Sequence, residues 1–275
     1  MIFVISGVIT RIVSNSFLNV FQKILTNKGN KPSVVNFYTY LGLTIIGLCF
    51  IPHINFNFNA EVIINFLCMG ILGALGNYFI IKALSLGELS SLAPINSYKP
   101  VVALIIAFFY LKEIPSITAI FGILLIILGT YVLHIGGKYN NKKAVFYRIL
   151  ALIFSGSEAV FIKKIILLTN IPTSFALWAF SGLMFSLLFL LCSKHKPTLT
   201  TAKYLLLLIL SVGLMQYSTN FVFSKINVAY ALALFQLSTL LSVFLGINIF
   251  KEEGLKRKII ASVIMIIGAV IIIIT

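Results

Sequence analysis

Apolar residues run along this chain in blocks long enough to form helices, with short polar punctuation between them. Clusters of Gly, Pro, Asn and Lys mark off ten blocks, at 2–25, 33–51, 62–83, 89–110, 115–136, 146–168, 173–192, 203–224, 228–250 and 258–275. A helix needs about 20 mostly apolar residues to cross a bilayer core, so each block predicts one transmembrane helix. The connections are short and leave no room for a soluble domain. The longest polar linker, GGKYNNKKAVFYR at 136–148, falls near the midpoint. The first block lacks a basic region followed by a small-residue cleavage site, and is read as a retained span.

The midpoint divides a repeat. YLKEIPSITAIFGILLIILGTYVL (110–133) aligns with IFKEEGLKRKIIASVIMIIGAVII (249–272). Lys112-Glu113 then matches Lys251-Glu252, Gly129 matches Gly268 and Ser85 matches Ser224, all at an offset of 139 residues. Ser14, Ser16 and Lys23 match Ser155, Ser157 and Lys164 at an offset of 141. The matched positions are polar residues or glycine, which shared apolar composition does not align by chance. Two repeats follow, 1–137 and 144–275, with five helices each. An odd number of spans inserts the two in opposite orientation. Inverted repeats are a building plan of secondary transporters, with the solute site near the midplane. The fold class expected is therefore an all-α membrane protein of ten transmembrane helices in two inverted five-helix repeats.

Composition agrees with the pattern. The chain of 275 residues is 60% hydrophobic and 10% charged, against about 25% charged in soluble domains, and its mean hydropathy is +1.09. The net charge of +15 lies mostly between apolar blocks, which reads as membrane anchoring and topology control, not a nucleic-acid footprint. Cys49, Cys68 and Cys192 are isolated in apolar stretches and read as small buried hydrophobes. There is no Asp. Glu61, Glu88, Glu113, Glu252 and Glu253 lie at connections and read as solvated, and no His, Cys or Walker motif suggests a metal, a cofactor, catalysis or ATP use. Glycines such as Gly70, Gly73, Gly122 and Gly129 are assigned to close helix contacts, and the last helix of each half offers a seam for a homodimer.

The charges inside spans change the picture most. Arg11, Lys99 and Glu158 sit near mid-span, where an ionised group costs about 2.5–3.5 kcal/mol on insertion scales. Such groups face a bundle interior or water. Lys99 is a candidate anchor for an anionic group on a solute, and Glu158 its counter-ion or a titrating proton carrier. The plainer alternatives are a structural ion pair, or a lysine reaching for the interface. Pro94 and Pro100 bracket Asn96, Tyr98 and Lys99, and proline kinks a helix, so a bent fourth helix beside a wet cavity is expected. Asn15 and Asn19 share a face of the first helix, and Gln216 and Asn220 share one of the eighth. Asn77, Tyr78, Gln236 and Trp178 complete the candidate solute-binding set.

The run ALSLGELSSLAPINSYKPVVALIIAFFYLKE (83–113) and its second copy ALALFQLSTLLSVFLGINIFKEE (231–253) carry a resemblance. Small residues, an apolar helix and a closing Lys-Glu occur twice. With ten spans in two halves, the whole chain resembles the drug/metabolite transporter superfamily, EamA type. The first span departs from that pattern, with RIVSNSFLNVFQK (11–23) in place of a bulky aromatic-glycine start. The resemblance implies a carrier of small organic solutes working by alternating access, with both termini cytoplasmic. Basic residues say the opposite. Fifteen lie in connections on one side and four on the other, which puts the first set inside and the termini outside. Both readings stay open. The expected partners are a small polar or zwitterionic solute and the lipid bilayer, in a cell membrane (an inner membrane in a Gram-negative bacterium). The alternatives are a lipid-carrier flippase subunit, an intramembrane enzyme or an assembly factor.

Overall fold

A computed structural model describes residues 2–86, 95, 97–133, 141–193, 201–238, 241 and 255–274. All regular structure among them is helical. The helices are α1 (Ile2–Asn27), α2 (Pro32–Leu48), α3 (Ala60–Leu86), α4 (Lys99–Tyr110), α5 (Ile117–Leu133), α6 (Lys142–Leu168), α7 (Ile171–Ser193), α8 (Ala202–Phe223), α9 (Val228–Phe235) and α10 (Leu255–Ile274), with a short 3-10 turn at Ile51–His53. Among the described residues, five stretches are long and apolar enough to cross a membrane: Ile2–Gln22, Ala60–Ile80, Lys142–Leu168, Ile171–Ser193 and Ala202–Phe223. Ser33–Leu48, Lys99–Tyr110, Ile117–Val132 and Ile260–Ile274 are shorter apolar helices.

Local chemistry sets the boundaries. Gly29 takes φ +84°, a conformation open to glycine at little steric cost. It ends α1, and the Asn30 N–H and side-chain amide both return to the Leu25 carbonyl, at 3.3 and 2.9 Å. Such bonds satisfy carbonyls a helix end leaves open. Pro32 then starts α2, where its missing N–H costs nothing.

The chain forms two compact units. The first takes Met1–Ile71 and Phe161–Lys225, the second Leu72–Val160 and Ile226–Thr275. Each unit mixes helices from both sequence halves. In the first unit α1 packs on α8, and α2 packs on α7 and α8. A Cβ at Gly7 would meet Val222 at 2.9 Å, one at Gly42 would meet Ile209 at 2.5 Å, and Gly182 lies directly against the Tyr40 ring. Backbones approach where side chains are missing, as in membrane helix pairs generally. In the second unit α5 packs on α10, and α4 on α9. Gly122 and Gly268 oppose each other: a Cβ at Gly268 would fall 2.7 Å from the Gly122 carbonyl oxygen.

Two predicted spans are not continuous helices. The block 89–110 is interrupted by a turn at Ser97–Tyr98. Pro100 has no N–H to donate and its ring would clash with a helical carbonyl four residues back, so α4 starts at Lys99. The block 228–250 is interrupted too: α9 ends at Phe235, with a turn at Gln236–Leu237. No proline acts there. The Gln236 N–H bonds Ala233 O at 3.0 Å, one residue short of helical spacing, and the Gln236 side-chain N–H reaches the released Leu232 carbonyl at 3.4 Å.

Two glutamates expected in solvent are engaged. Glu61 pairs with Lys164 at 2.9 Å. Glu113 Oε2 accepts the Val228 N–H, the first of α9, at 2.9 Å. The first N–H groups of a helix have no intrahelical partner, and a carboxylate suits the positive helix end. Lys112, at φ 59°, turns the chain so that Glu113 can reach. Glu113→Ala is expected to lower stability by about 1 kcal/mol, read as a lower thermal midpoint in detergent. Glu113→Gln keeps an acceptor oxygen and is expected to lose less; an unchanged midpoint in Glu113→Ala would show that the cap contributes nothing. Cys49 and Cys192 are exposed, not buried as expected, and Cys68 is half-buried.

Candidate functional site

The second unit holds two of the three charges singled out at mid-span, Lys99 and Glu158. Lys99 is the first residue of α4, so its ammonium leaves the chain at a helix break and not within an unbroken helix. Its backbone carbonyl packs against α6: a Cβ at Gly156 would lie 3.0 Å from Val102 Cγ1 and 3.5 Å from Lys99 O. Glu158 is two residues further along α6. Its carboxylate lies on α3, with Oε1 2.6 Å from where a Gly73 Cβ would be. Both Lys99 and Glu158 are half-buried. Three helices, α3, α4 and α6, thus meet around Gly156 and Glu158 within one unit.

Around them, Asn77 is half-buried on α3. Tyr78 is exposed, and its hydroxyl accepts from Lys82 Nζ at 3.3 Å. The Lys82 ammonium also stands 4.7 Å from the centroid of the Tyr147 ring, an arrangement in which the ring face attracts the cation. Tyr98, at the turn before α4, is 47% exposed. Gln236 is buried at the end of α9, where it serves the helix break already described. Asn96 lies outside the described residues, as does the side chain of Asn19.

The first unit holds the other candidates. Arg11 Nε–H donates to Thr219 Oγ1 at 2.9 Å. The Thr219 hydroxyl proton goes to the Met215 carbonyl at 2.8 Å, which leaves its oxygen lone pairs for the guanidinium. This fixes the guanidinium against α8. Sequence reasoning left Arg11 out of the candidate set, because its depth turned on where the first helix begins; α1 begins at Ile2. Asn15, one turn on, is half-buried. The amides of Gln216 and Asn220 meet at 2.9 Å, and the Phe175 backbone nitrogen lies 3.3 Å from the Asn220 amide. Asn220 is fully buried. The Asn220 amide joins α8 to α7, the interhelical role open to any buried amide in a bilayer. Trp178 packs between Tyr40 and Phe175, with ring centroids 5.3 and 6.5 Å away.

Among the described residues, no three His, Cys, Asp or Glu side chains converge as a metal site. The arrangement offers one cation at a helix break and one carboxylate on a glycine seat. Amides and hydroxyls lie on the same helices.

No curated protein matches the chain. A solved crystal structure matches it at a TM-score of 0.78, with 14% identity over 98% of this chain and 98% of that one. At that identity the match speaks to the fold alone. A sequence model of the family described as the EamA-like transporter family matches residues 2–135 and again residues 142–274. Two matches that together span nearly the whole chain place it: this protein belongs to the EamA-like transporter family, whose members are membrane transporters.

Proposed function

We propose that this protein is a secondary transporter of the cell membrane that carries a small polar or zwitterionic organic solute by alternating access, with the solute held at Lys99 and Glu158. The observation that carries this reading is the matched pair of helix breaks. The Tyr98 N–H bonds Ile95 O at 3.2 Å, and the Leu237 N–H bonds Leu234 O at 3.1 Å. From 98 to 237 and from 95 to 234 are each 139 residues, the repeat offset read from the polar matches. The two repeats therefore place a turn at the same point, where α4 begins in one and α9 ends in the other, although only one of them has a proline there. Discontinuous helices form the sites of inverted-repeat carriers, because a broken helix brings polar backbone to membrane depth. Lys99 stands at one of the two breaks.

The pairing of α2 with α7, α4 with α9 and α5 with α10 supports a two-fold relation between the halves, since each pair joins corresponding helices. Lys99 supplies a cation for an anionic group on the solute. Glu158 supplies a carboxylate for an amine on the solute, or for a proton carried with it. An intramembrane carboxylate of this kind marks a solute or proton path.

The test is uptake into liposomes holding the full-length protein, screened across amino acids, amines and nucleotides. One class is expected to be taken up above protein-free liposomes, and a complete failure of all classes would remove the reading. For that class, Glu158→Gln is expected to flatten the pH dependence of uptake, since an amide cannot titrate. A Glu158→Gln protein with its full pH response would end the proton-carrier role.

A further inference from the structure

Glycines occur on α3 at positions 70, 73 and 76, and two of them, in the second unit, face α6. They face different things. At Gly76 an added Cβ would stand 3.3 Å from both the Cβ and the backbone nitrogen of Ser155. That is helix backbone against helix backbone, the usual reason for a glycine in a membrane helix pair. At Gly73 all three nearest atoms belong to one carboxylate: Glu158 Oε1 at 2.6 Å, Cδ at 2.9 Å and Oε2 at 3.4 Å. The carboxylate lies over the Gly73 Cα, in the space any other residue would fill with its Cβ.

We infer that Gly73 is the positioning residue for Glu158: its missing side chain is the seat that fixes where the carboxylate stands when it meets solute or proton. The inference rests on the reading of Glu158 as a working group of transport. It is distinct from a packing role, because the clash of an added methyl would fall on the far end of a flexible side chain. The helices can stay where they are while the carboxylate moves. Besides Glu158, the charged and titratable groups on these elements are Lys99 and Tyr110 on α4, Glu61, Cys68, Tyr78 and Lys82 on α3, and Lys142, Lys143, Tyr147, Arg148, Lys163 and Lys164 on α6; Lys82 is engaged with Tyr78 and Tyr147, and Glu61 with Lys164. A substitution at Gly73 adds no charge to this set and removes none.

The experiment uses a hydrophobic carbodiimide, which reacts with a protonated carboxyl in an apolar setting. Full-length protein in phosphatidylcholine vesicles is labelled, and the modification of residue 158 is followed by peptide mapping. Gly73→Ala is expected to change the labelling rate at 158 by roughly fivefold, and Gly76→Ala to leave it within about twofold. Shortening the side chain supplies the second arm. In Glu158→Asp the carboxylate is drawn back by one methylene and no longer reaches the seat. Adding Gly73→Ala to Glu158→Asp should then change little, so the two effects fail to multiply by roughly fivefold. In uptake, the pH of half-maximal rate should move in Gly73→Ala, with little further movement when Gly73→Ala is added to Glu158→Asp. If Gly73→Ala does not fold, the labelling rate of Glu158→Asp decides: a changed rate supports the seat, and a rate equal to that of the unaltered protein overturns it. Unchanged labelling in Gly73→Ala, or effects of the two substitutions that simply multiply, would overturn the inference. A Glu158→Gln protein with a full pH response would instead overturn the transport role of Glu158, whatever the labelling shows.

Discussion

Lys99→Ala is expected to weaken uptake of the transported solute roughly 10- to 150-fold in affinity, the loss of about 1.5–3 kcal/mol that accompanies removal of a charged hydrogen-bonding partner. The size follows from its position. Lys99 opens α4 beside the turn at Ser97–Tyr98, half-buried and on the same unit as Glu158. An ammonium within a membrane span is costly to keep, and the proposed site puts its charge to use on the solute. Lys99→Arg retains the charge but replaces a compact ammonium with a planar fork. It is expected to transport with a smaller loss. The measurement is the concentration dependence of uptake in liposomes, alongside the thermal midpoint in detergent. An alanine variant with unchanged affinity and unchanged midpoint would remove Lys99 from the site. A lowered midpoint with unchanged affinity would return it to the structural role.

Gly268→Ala is expected to be the most damaging of the small-residue substitutions. The new methyl would meet the Gly122 carbonyl oxygen at 2.7 Å and both Ile126 Cγ1 and Leu125 Cβ at 3.0 Å. A backbone oxygen cannot swing aside as a side-chain tip can, so α5 and α10 have to separate along their contact. Overpacking of this kind costs about 1–3 kcal/mol. Gly213→Ala is the matched control, since its nearest neighbour is Leu43 Cδ2 at 3.4 Å. Ordinary contact plus the better helix propensity of alanine makes it neutral or slightly stabilising. Thermal unfolding of the two variants side by side decides the matter: equal midpoints would mean that α5 and α10 yield more easily than their backbone contact implies.

Much of the architecture could be read from the order of residues. The length of each apolar block set the helix positions, and the polar matches at offsets of 139 and 141 set the repeat. The break at α4 was readable because Pro100 is visible in the sequence. Its partner at the end of α9 was not: ALALFQLSTLLSVF holds no Pro or Gly, and the break is held by the Gln236 amide, a residue that sits as easily on an unbroken helix. The engaged glutamates were missed for a similar reason. Glu113 lies in a connection, where solvent is the default, and its partner Val228 is 115 residues away. Which helices pair was also hidden. In lipid an apolar face has no preferred direction, so hydropathy marks a span without saying what it touches. The Gly73 seat was read only as a helix contact, because a glycine facing backbone and a glycine facing a carboxylate look the same in a sequence.

The Arg11–Thr219 bond has a consequence for how the protein is made. Its partners are 208 residues apart, and the unit that contains it takes segments from both halves of the chain. At about 5–20 residues per second, a ribosome needs roughly 10 to 40 s to deliver Thr219 after Arg11 has been polymerised. Throughout that wait the nascent first helix must hold its guanidinium without the acceptor it will finally use. The membrane insertion machinery, or transient neighbours within it, has to shelter that charge until the second half arrives.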